Sequence, residues 1–395
     1  MPRALLLLPT ATYRATGFLA AARQLGVEVV VASEEPPPLA STMGDRAVVV
    51  PLDDPGGAAR VIEELDARTP LDAVIAVDDQ GVLVAAQAGE QLGFPHNPPA
   101  AVARTRDKAA LRDALAGAEV PQPRYAVIAD PEDVPDVGWP RVVKPVGLSG
   151  SQGVIRADDP AAAVAAARRA IEIARGGPLV VEEYLAGAEI AVEGLLRGGH
   201  LDVLAVFDKP DTPEGPYFEE TLYVTPSRLP AGDLAQVERV TADAARALGL
   251  TEGPIHAELR VRDGRAWILE VAARSIGGLC ARTLRLGAGI SLEEVILRHA
   301  LALPLHDLTR ETQASGVMML PIARSGTLVE VRGQDKARAV PGVVGLEVTI
   351  PPGRPIRALP EGDRYLGFLF ARAATPAAVE QALLDAQQLL DVDIV

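Results

Sequence analysis

Through the first hundred residues, short blocks of consecutive apolar side chains alternate with longer segments whose apolar positions recur every three or four residues. Residues 4–8, 27–32, 47–50 and 73–77 are of the first kind and predict strands. Residues 15–25, closed by Gly26, and residues 55–68 are of the second kind and predict helices. Strands apolar on both faces and separated by helices predict a parallel sheet covered on both sides. No Gly-x-Gly-x-x-Gly follows the first strand, where the chain reads Pro9-Thr-Ala-Thr-Tyr13-Arg-Ala-Thr-Gly17, so a Rossmann-type dinucleotide site is disfavoured.

Beyond this region the pattern changes. A helix is predicted over 99–116 and carries Lys108; strands and glycine-rich turns follow up to about Gly199, interrupted by a helix near 161–174. A helix over 234–248, a hairpin over 255–273 and a helix over 291–302 come next. After Pro304, strand patterns at 316–320, 327–331, 343–350 and 365–372, with one helix at 376–390, predict a separate small α+β unit. The expected fold class is α/β and α+β in a multidomain chain.

Charge and composition narrow the function. With 53 acidic against 38 basic residues, the net charge of -15 disfavours general binding to nucleic acid or to anionic membranes. Cys280, the single cysteine, excludes an internal disulfide and a cysteine-based metal cluster, and reads as a packed small apolar residue. The first apolar run, 5–8, stops at Pro9, too short for a signal peptide or a membrane span, and a cytoplasmic protein is expected. Only four of the basic residues are lysines: Lys108, Lys144, Lys209 and Lys336. Where arginine is the default cation, a lysine is less readily explained as generic surface charge.

The first chemical signal is Arg141-Val-Val-Lys144-Pro-Val-Gly147-Leu-Ser149-Gly150-Ser151-Gln-Gly153-Val-Ile-Arg156. Three glycines and two serines make a loop whose backbone N–H groups can approach phosphate oxygens. A P-loop would run into a helix, whereas this loop runs into another short strand, so it is a flap. Lys144 stands where its ammonium can pair with a phosphate; a flexible hairpin with an exposed lysine is the plain alternative.

The second signal is the hairpin, whose turn is Asp263-Gly264. Alternation sets Ala257, Leu259 and Val261 on one face, and the register that matches them to Trp267, Leu269 and Val271 places Glu258 across from Glu270. Like charges facing across a sheet are destabilising, so something compensates. Arg260 or Arg274 is the structural option; a hard divalent cation, Mg2+, is the functional one. A third stretch, Glu182-Glu183-Tyr-Leu185-Ala-Gly187-Ala-Glu189, follows a buried strand. Backbone groups near Glu183 and Leu185 fit an adenine edge and Glu189 fits ribose hydroxyls, with a solvated acidic rim as the alternative.

Together these motifs resemble the ATP-grasp superfamily: Lys108 in Arg106-Asp-Lys, Lys144 before the flap, Glu182-Glu183-Tyr-Leu185-x-Gly187-x-Glu189, Glu258, and Glu270-Val-Ala-Ala-Arg274-Ser-Ile-Gly277-Gly278. Their order matches over about residues 100–305, and the last motif with the C-terminal unit resembles the L-amino-acid ligase branch. The resemblance implies an N-terminal parallel-sheet (pre-ATP-grasp) domain at 1–104, an ATP-grasp domain at 105–307 with a flap subdomain at about 120–185, and a small α+β domain at 308–395. It implies ATP and Mg2+ as cofactors. Lys108 and Lys144 would hold the phosphates under Gly147, Ser149, Gly150, Ser151 and Gly153. Glu182, Glu183 and Leu185 would line the adenine pocket, Leu269 would be a further ATP contact, Glu189 would bind ribose, and Glu258 and Glu270 would ligate Mg2+. Arg274 would stabilise the transferred phosphoryl group or acyl phosphate, with Gly277 and Gly278 donating to a substrate carboxylate.

The implied activity is a carboxylate-amine ligase acting on small-molecule carboxylates and amines, with neither nucleic acid nor membrane as partner; the branch is often homodimeric. Two departures stand out. Ala272 replaces an asparagine common two residues after the second metal glutamate, and Tyr223 stands three residues after Glu220, where the branch carries histidine in a substrate-reading pair. An ATP-grasp carboxylase activating bicarbonate and a degenerate, non-catalytic ATP-binding module remain open. Less secure contacts are Lys209, in a substrate loop or on the surface; His256, as a supporting hydrogen bond; and Asp78-Asp79, at a sheet edge where ligands bind or as helix caps.

Overall fold

The computed structural model describes residues 1–10, 12–37, 40–210, 214–219, 221–305 and 307–395. The N-terminal sheet is parallel, in the order Ala47–Val49, Glu28–Ser33, Arg3–Leu7, Ala73–Ala76. Helices Ala15–Leu25 and Pro55–Arg68 form where the 3.6-residue periodicity places them, the second capped by the Asp54 side chain on the Gly57 N–H. Strand order reverses between Arg3–Leu7 and Ala73–Ala76, and such a switch point opens a crevice at the carboxyl ends of the strands. Pro9, Thr12, Tyr13, Asp78, Asp79 and Gln80 emerge there and line a cavity.

The helix predicted over 99–116 is two helices, Pro99–Arg106 and Lys108–Gly117. Asp107 breaks it, with extended backbone (φ -124, ψ 105) and a side chain that caps the Ala110 N–H at 2.9 Å. Lys108 therefore opens a new helix instead of lying inside a longer one.

The flap belongs to a four-stranded antiparallel sheet in the order Tyr125–Ile128, Leu179–Glu183, Arg141–Pro145, Ile155–Ala157, which shares a core with helix Pro160–Ala174. The central sheet has eight strands: Arg265–Ala272, Gly253–Arg262, Ala188–Arg197, His200–Asp208, Leu222–Thr225, Ala314–Leu320, Gly367–Ala373 and Val343–Val348. The last three belong to the C-terminal region, so the α+β unit expected to stand apart continues the central sheet through the pairing of Leu222 with Met318. Its core likewise takes in Leu222 and Val224.

The hairpin turn forms at Asp263 and Gly264, both with positive φ (50° and 72°), as a two-residue turn matched to strand twist requires. Glu258 pairs with Glu270, as alternation predicts, yet Leu259 pairs with Ile268. A β-bulge at Leu269 absorbs the extra residue and corrects the expected face assignment: Ala266 and Ile268 are buried in the apolar core in place of Trp267 and Leu269. A bulge turns two consecutive side chains toward one side, which brings Leu269 and Glu270 to the same cavity wall.

Candidate active site

Two adjoining cavities share the walls Ser149, Gly150, Ser151, Glu258 and Glu270. The first, about 780 Å3, lies between the flap sheet and the central hairpin. The second, about 1600 Å3, opens toward the switch point of the N-terminal sheet.

The first cavity gathers Lys108, Lys144, Glu182, Glu183, Leu185, Glu189 and Leu269. Glu182 does more than line it. Its carboxylate is almost fully buried and accepts from Arg112 Nε at 2.7 Å and from Lys144 Nζ at 2.7 Å. Burial favours the protonated acid, but the two cations outweigh it and hold the carboxyl down at about 2. Arg112 also donates to the carbonyls of Ile268, at 3.1 Å, and of Leu269, so one guanidinium ties the strand Leu179–Glu183 to the bulge. Sequence reading missed Arg112; the available signal was its position four residues after Lys108, on the same helix face.

Glu183 turns outward and pairs with Arg124 at 2.8 Å. The N–H groups of Glu183 and Tyr184 are taken by the carbonyls of Arg124 and Pro140, and Leu185 follows them on this wall. Tyr184 stacks on Phe218 at 6.2 Å between centroids, and both rings line the cavity, a feature with no clear mark in the sequence. Glu189 is held by Arg260 at 2.5 Å and by Lys209. Lys209 is 5% exposed, which excludes the surface reading, and its ammonium lies 3.6 Å from Glu258.

The flap crosses between the cavities. Lys108 Nζ donates to the Leu148 carbonyl at 2.5 Å, and the Gly153 N–H donates to the Pro360 carbonyl at 3.0 Å, so its two ends are tied to different parts of the fold. Ser149, Gly150 and Ser151 line both cavities; Gly147 and Gly153 line neither and stand at the flap's ends.

The arginines expected to offset Glu258 and Glu270 make their close ion pairs elsewhere, although Arg274 is near enough to Glu270 for the two charges to attract. Arg260 pairs with Glu189, and Arg274 pairs with Asp79 at 2.9 Å. The nearest cations are Lys209 and His256, each 3.6 Å from Glu258, and Lys108, 3.8 Å from Glu270. These are ion-pair distances longer than hydrogen bonds, which leaves acceptor capacity on both carboxylates. The described residues contain no group of three or more acidic, histidine or cysteine ligands. Two facing carboxylates beside the glycine flap, rather than an all-protein cage, fit Mg2+, which takes one or two carboxylates and completes its octahedron with phosphate oxygens and water. Glu258 sits well below the usual carboxylate range: burial opposes this, and Lys209 and His256 outweigh it. His256 is a supporting residue, with Nδ1 3.2 Å from Glu193; burial disfavours its charged ring, but Glu193 and Glu258 raise it to about 9.

The second cavity holds Arg274, Gly277, Gly278, Tyr223, Ala272 and Asp78. Asp79 accepts from Arg274 and pairs with Arg106 at 3.1 Å; burial favours its protonated form, but Arg274 and Arg106 outweigh this and hold its pKa down at about 2. Asp78 makes no capping bond. Tyr223 is buried and packs edge-on against Phe207, while Glu220, expected beside it, lies outside the described residues. Cys280 is buried, as a small apolar residue should be. Gly278 has φ +57°, and a Cβ there would lie 2.8 Å from a Phe368 ring carbon. Gly278→Val is therefore expected to lose roughly 1–3 kcal/mol, read as a lowered Tm in thermal unfolding.

Family models match three successive stretches of the chain. The ATP-grasp N-terminal domain matches residues 19–96, the ATP-grasp domain 137–283, and L-amino acid ligase C-terminal domain 2 matches 318–395. Together the three matches give the chain the domain organisation of an ATP-grasp protein. Within that superfamily it resembles the L-amino-acid ligase branch. The crystal structure of L-amino acid ligase from Bacillus licheniformis superposes with a TM-score of 0.82 over 100% of this chain and 99% of that one, a likeness of fold at 24% identity. Formate-dependent phosphoribosylglycinamide formyltransferase of Synechococcus sp. (strain RCC307) is 28% identical, over 86% of each chain. Alanine--anticapsin ligase of Bacillus subtilis is 26% identical over 58% of this chain and 53% of its own. No described helix is long and apolar enough to cross a membrane.

Proposed function

We propose that this protein is an ADP-forming ligase that joins a small carboxylic acid to an amine, as an amide or peptide, through an acyl phosphate. The observation that carries the reading is the meeting of the two cavities at Glu258, Glu270 and the flap residues Ser149, Gly150 and Ser151. ATP in the first cavity would present its γ-phosphate at that junction. Lys108 and Lys144 would hold phosphate oxygens, Leu185 and Leu269 would border the adenine, and Glu189 would take the ribose. Glu258 and Glu270 would hold Mg2+, which when bound supplies charge neutralisation to the phosphates.

A substrate carboxylate oxygen attacks the γ-phosphorus as its bond to ADP breaks. The amine nitrogen then attacks the acyl carbon, the bond to phosphate breaks, and the nitrogen loses a proton. Arg274, fixed by Asp79 from the N-terminal sheet, would face the charge on the transferred group, and the Gly277 and Gly278 N–H groups would orient the carboxylate. Catalysis on this reading is positioning and neutralisation, as phosphoryl transfer generally demands.

The test is a mass-spectrometric screen of products from ATP, Mg2+ and mixed amino acids, organic acids and amines. Amide products formed with matching ADP are expected. Phosphate release dependent on bicarbonate, without an amide, would favour the carboxylase reading, and ATP binding with no turnover on any pair would favour a non-catalytic module.

A further inference from the structure

Glu193 is a carboxylate that the proposed reaction does not use. It lies in the middle of the strand Ala188–Arg197, on the same face as Glu189 and Ala191, and is 0% exposed. Its Oε2 accepts from the Ile276 N–H at 2.9 Å and lies 3.2 Å from His256 Nδ1, while Oε1 has no hydrogen-bond partner among the described residues. Burying a carboxylate with an unsatisfied oxygen costs roughly 1–3 kcal/mol, which an apolar residue packed at this point in the sheet would avoid. What Glu193 provides in exchange is two specific contacts.

The first leads to the paired glutamates. Glu193 and His256 are direct cross-strand partners, and His256 Nε2 faces Glu258 Oε1 at 3.6 Å. A ring held on one edge has its other edge aimed, and groups behind a metal ligand fix that ligand's orientation in this way. The second contact leads to the loop 274–278. Arg274 is anchored by Asp79, and Ser275 by the buried Arg14, whose Nη2 donates to its hydroxyl at 2.5 Å. Ile276 is anchored by Glu193 alone among these side chains, immediately before Gly277 and Gly278.

We infer that Glu193 is a positioning residue serving two sites at once: through His256 it orients Glu258, and through the Ile276 amide it sets the loop that carries Arg274, Gly277 and Gly278. One carboxylate thereby fixes the distance between the phosphate end and the carboxylate end of the reaction centre. A displacement of about 1 Å there is enough to cost on the order of 100-fold in rate. The inference rests on the assignment of Glu258 as a metal ligand.

The experiment uses the full chain with Mn2+ and ADP, following free Mn2+ by electron paramagnetic resonance, alongside steady-state kinetics on the best substrate pair from the product screen. Glu193→Gln preserves shape and one acceptor oxygen; it is expected to weaken Mn2+ binding roughly 10-fold or more. His256→Gln should do the same, and the double variant should bind no more weakly than the weaker single, because both act along one chain of contacts. Only Glu193→Gln should also raise KM for the carboxylate substrate, since only Glu193 touches Ile276.

Mn2+ affinity within twofold of wild type in folded Glu193→Gln, or additive losses in the double variant, would overturn the inference. Should Glu193→Gln fail to fold, His256→Gln decides the metal half by itself: wild-type affinity there overturns it. Glu258→Gln is the control, and retention of Mn2+ by that variant would remove the metal assignment itself, a failure separate from that of Glu193.

Discussion

Glu270→Gln is expected to lower ADP formation by roughly 10²- to 10³-fold, about 3–4 kcal/mol of transition-state stabilisation, while leaving thermal stability unchanged or slightly raised. The two effects have opposite signs for one reason. Glu258 and Glu270 face each other across the hairpin, and such like-charge pairs destabilise a sheet by some tenths of a kcal/mol to about 1 kcal/mol. Their cations stand off at 3.6 and 3.8 Å, so the repulsion is only partly relieved within the protein. Neutralising Glu270 relaxes the pair and, on the proposed reading, removes the charge of one of the two protein ligands of Mg2+. The measurements are Mg2+-dependent ADP release and a thermal melt on the same preparation. Turnover within twofold of wild type would sink the role of the pair, and a large drop in Tm would show that Glu270 serves the fold instead.

The second large effect is at Glu182. Glu182→Gln leaves Arg112 and Lys144 buried without their shared counter-charge, and a loss on the order of 3 kcal/mol at pH 7 is expected. The folded-state value of about 2 lies below the ordinary carboxylate value of 4.5, so wild type holds the full contribution above about pH 4.5 and loses it as pH falls toward 2. The gap between wild type and Glu182→Gln in urea unfolding should therefore be widest near neutrality and shrink with acidification below pH 4.5. A gap that stays constant with pH would mean that Glu182 stabilises through packing rather than charge. Because Arg112 also holds the bulge at Leu269, the variant is further expected to weaken ATP binding, with calorimetry as the readout.

Elements whose formation depends on nearby residues were the ones legible in advance. Helices Ala15–Leu25 and Pro55–Arg68 fall where the sequence pattern places them, and the Asp263-Gly264 turn with the Glu258–Glu270 pairing follows from strand alternation. The errors have local physical causes as well. Periodicity alone runs one helix through Asp107, whose side chain instead makes a cap, and the bulge at Leu269 hides in a strand whose residues are apolar on both faces, so alternation does not detect it.

The sequence by itself determined the parallel N-terminal sheet, the glycine flap and the facing carboxylates, because periodicity, turn chemistry and alternation act over a few residues. The tertiary structure alone decided which charges meet. Asp79 reaches Arg274 across 195 positions, Arg112 reaches the Ile268 carbonyl across 156, and Lys209, one residue past the strand His200–Asp208, lies buried between Glu189 and Glu258. No spacing rule links such pairs; they are joined by the packing of sheets whose buried faces fix their separation to within an ångström or so. That packing also set the C-terminal strands in the central sheet and brought the two cavities to a common wall, so the place where both substrates would meet belongs to the fold rather than to any one segment.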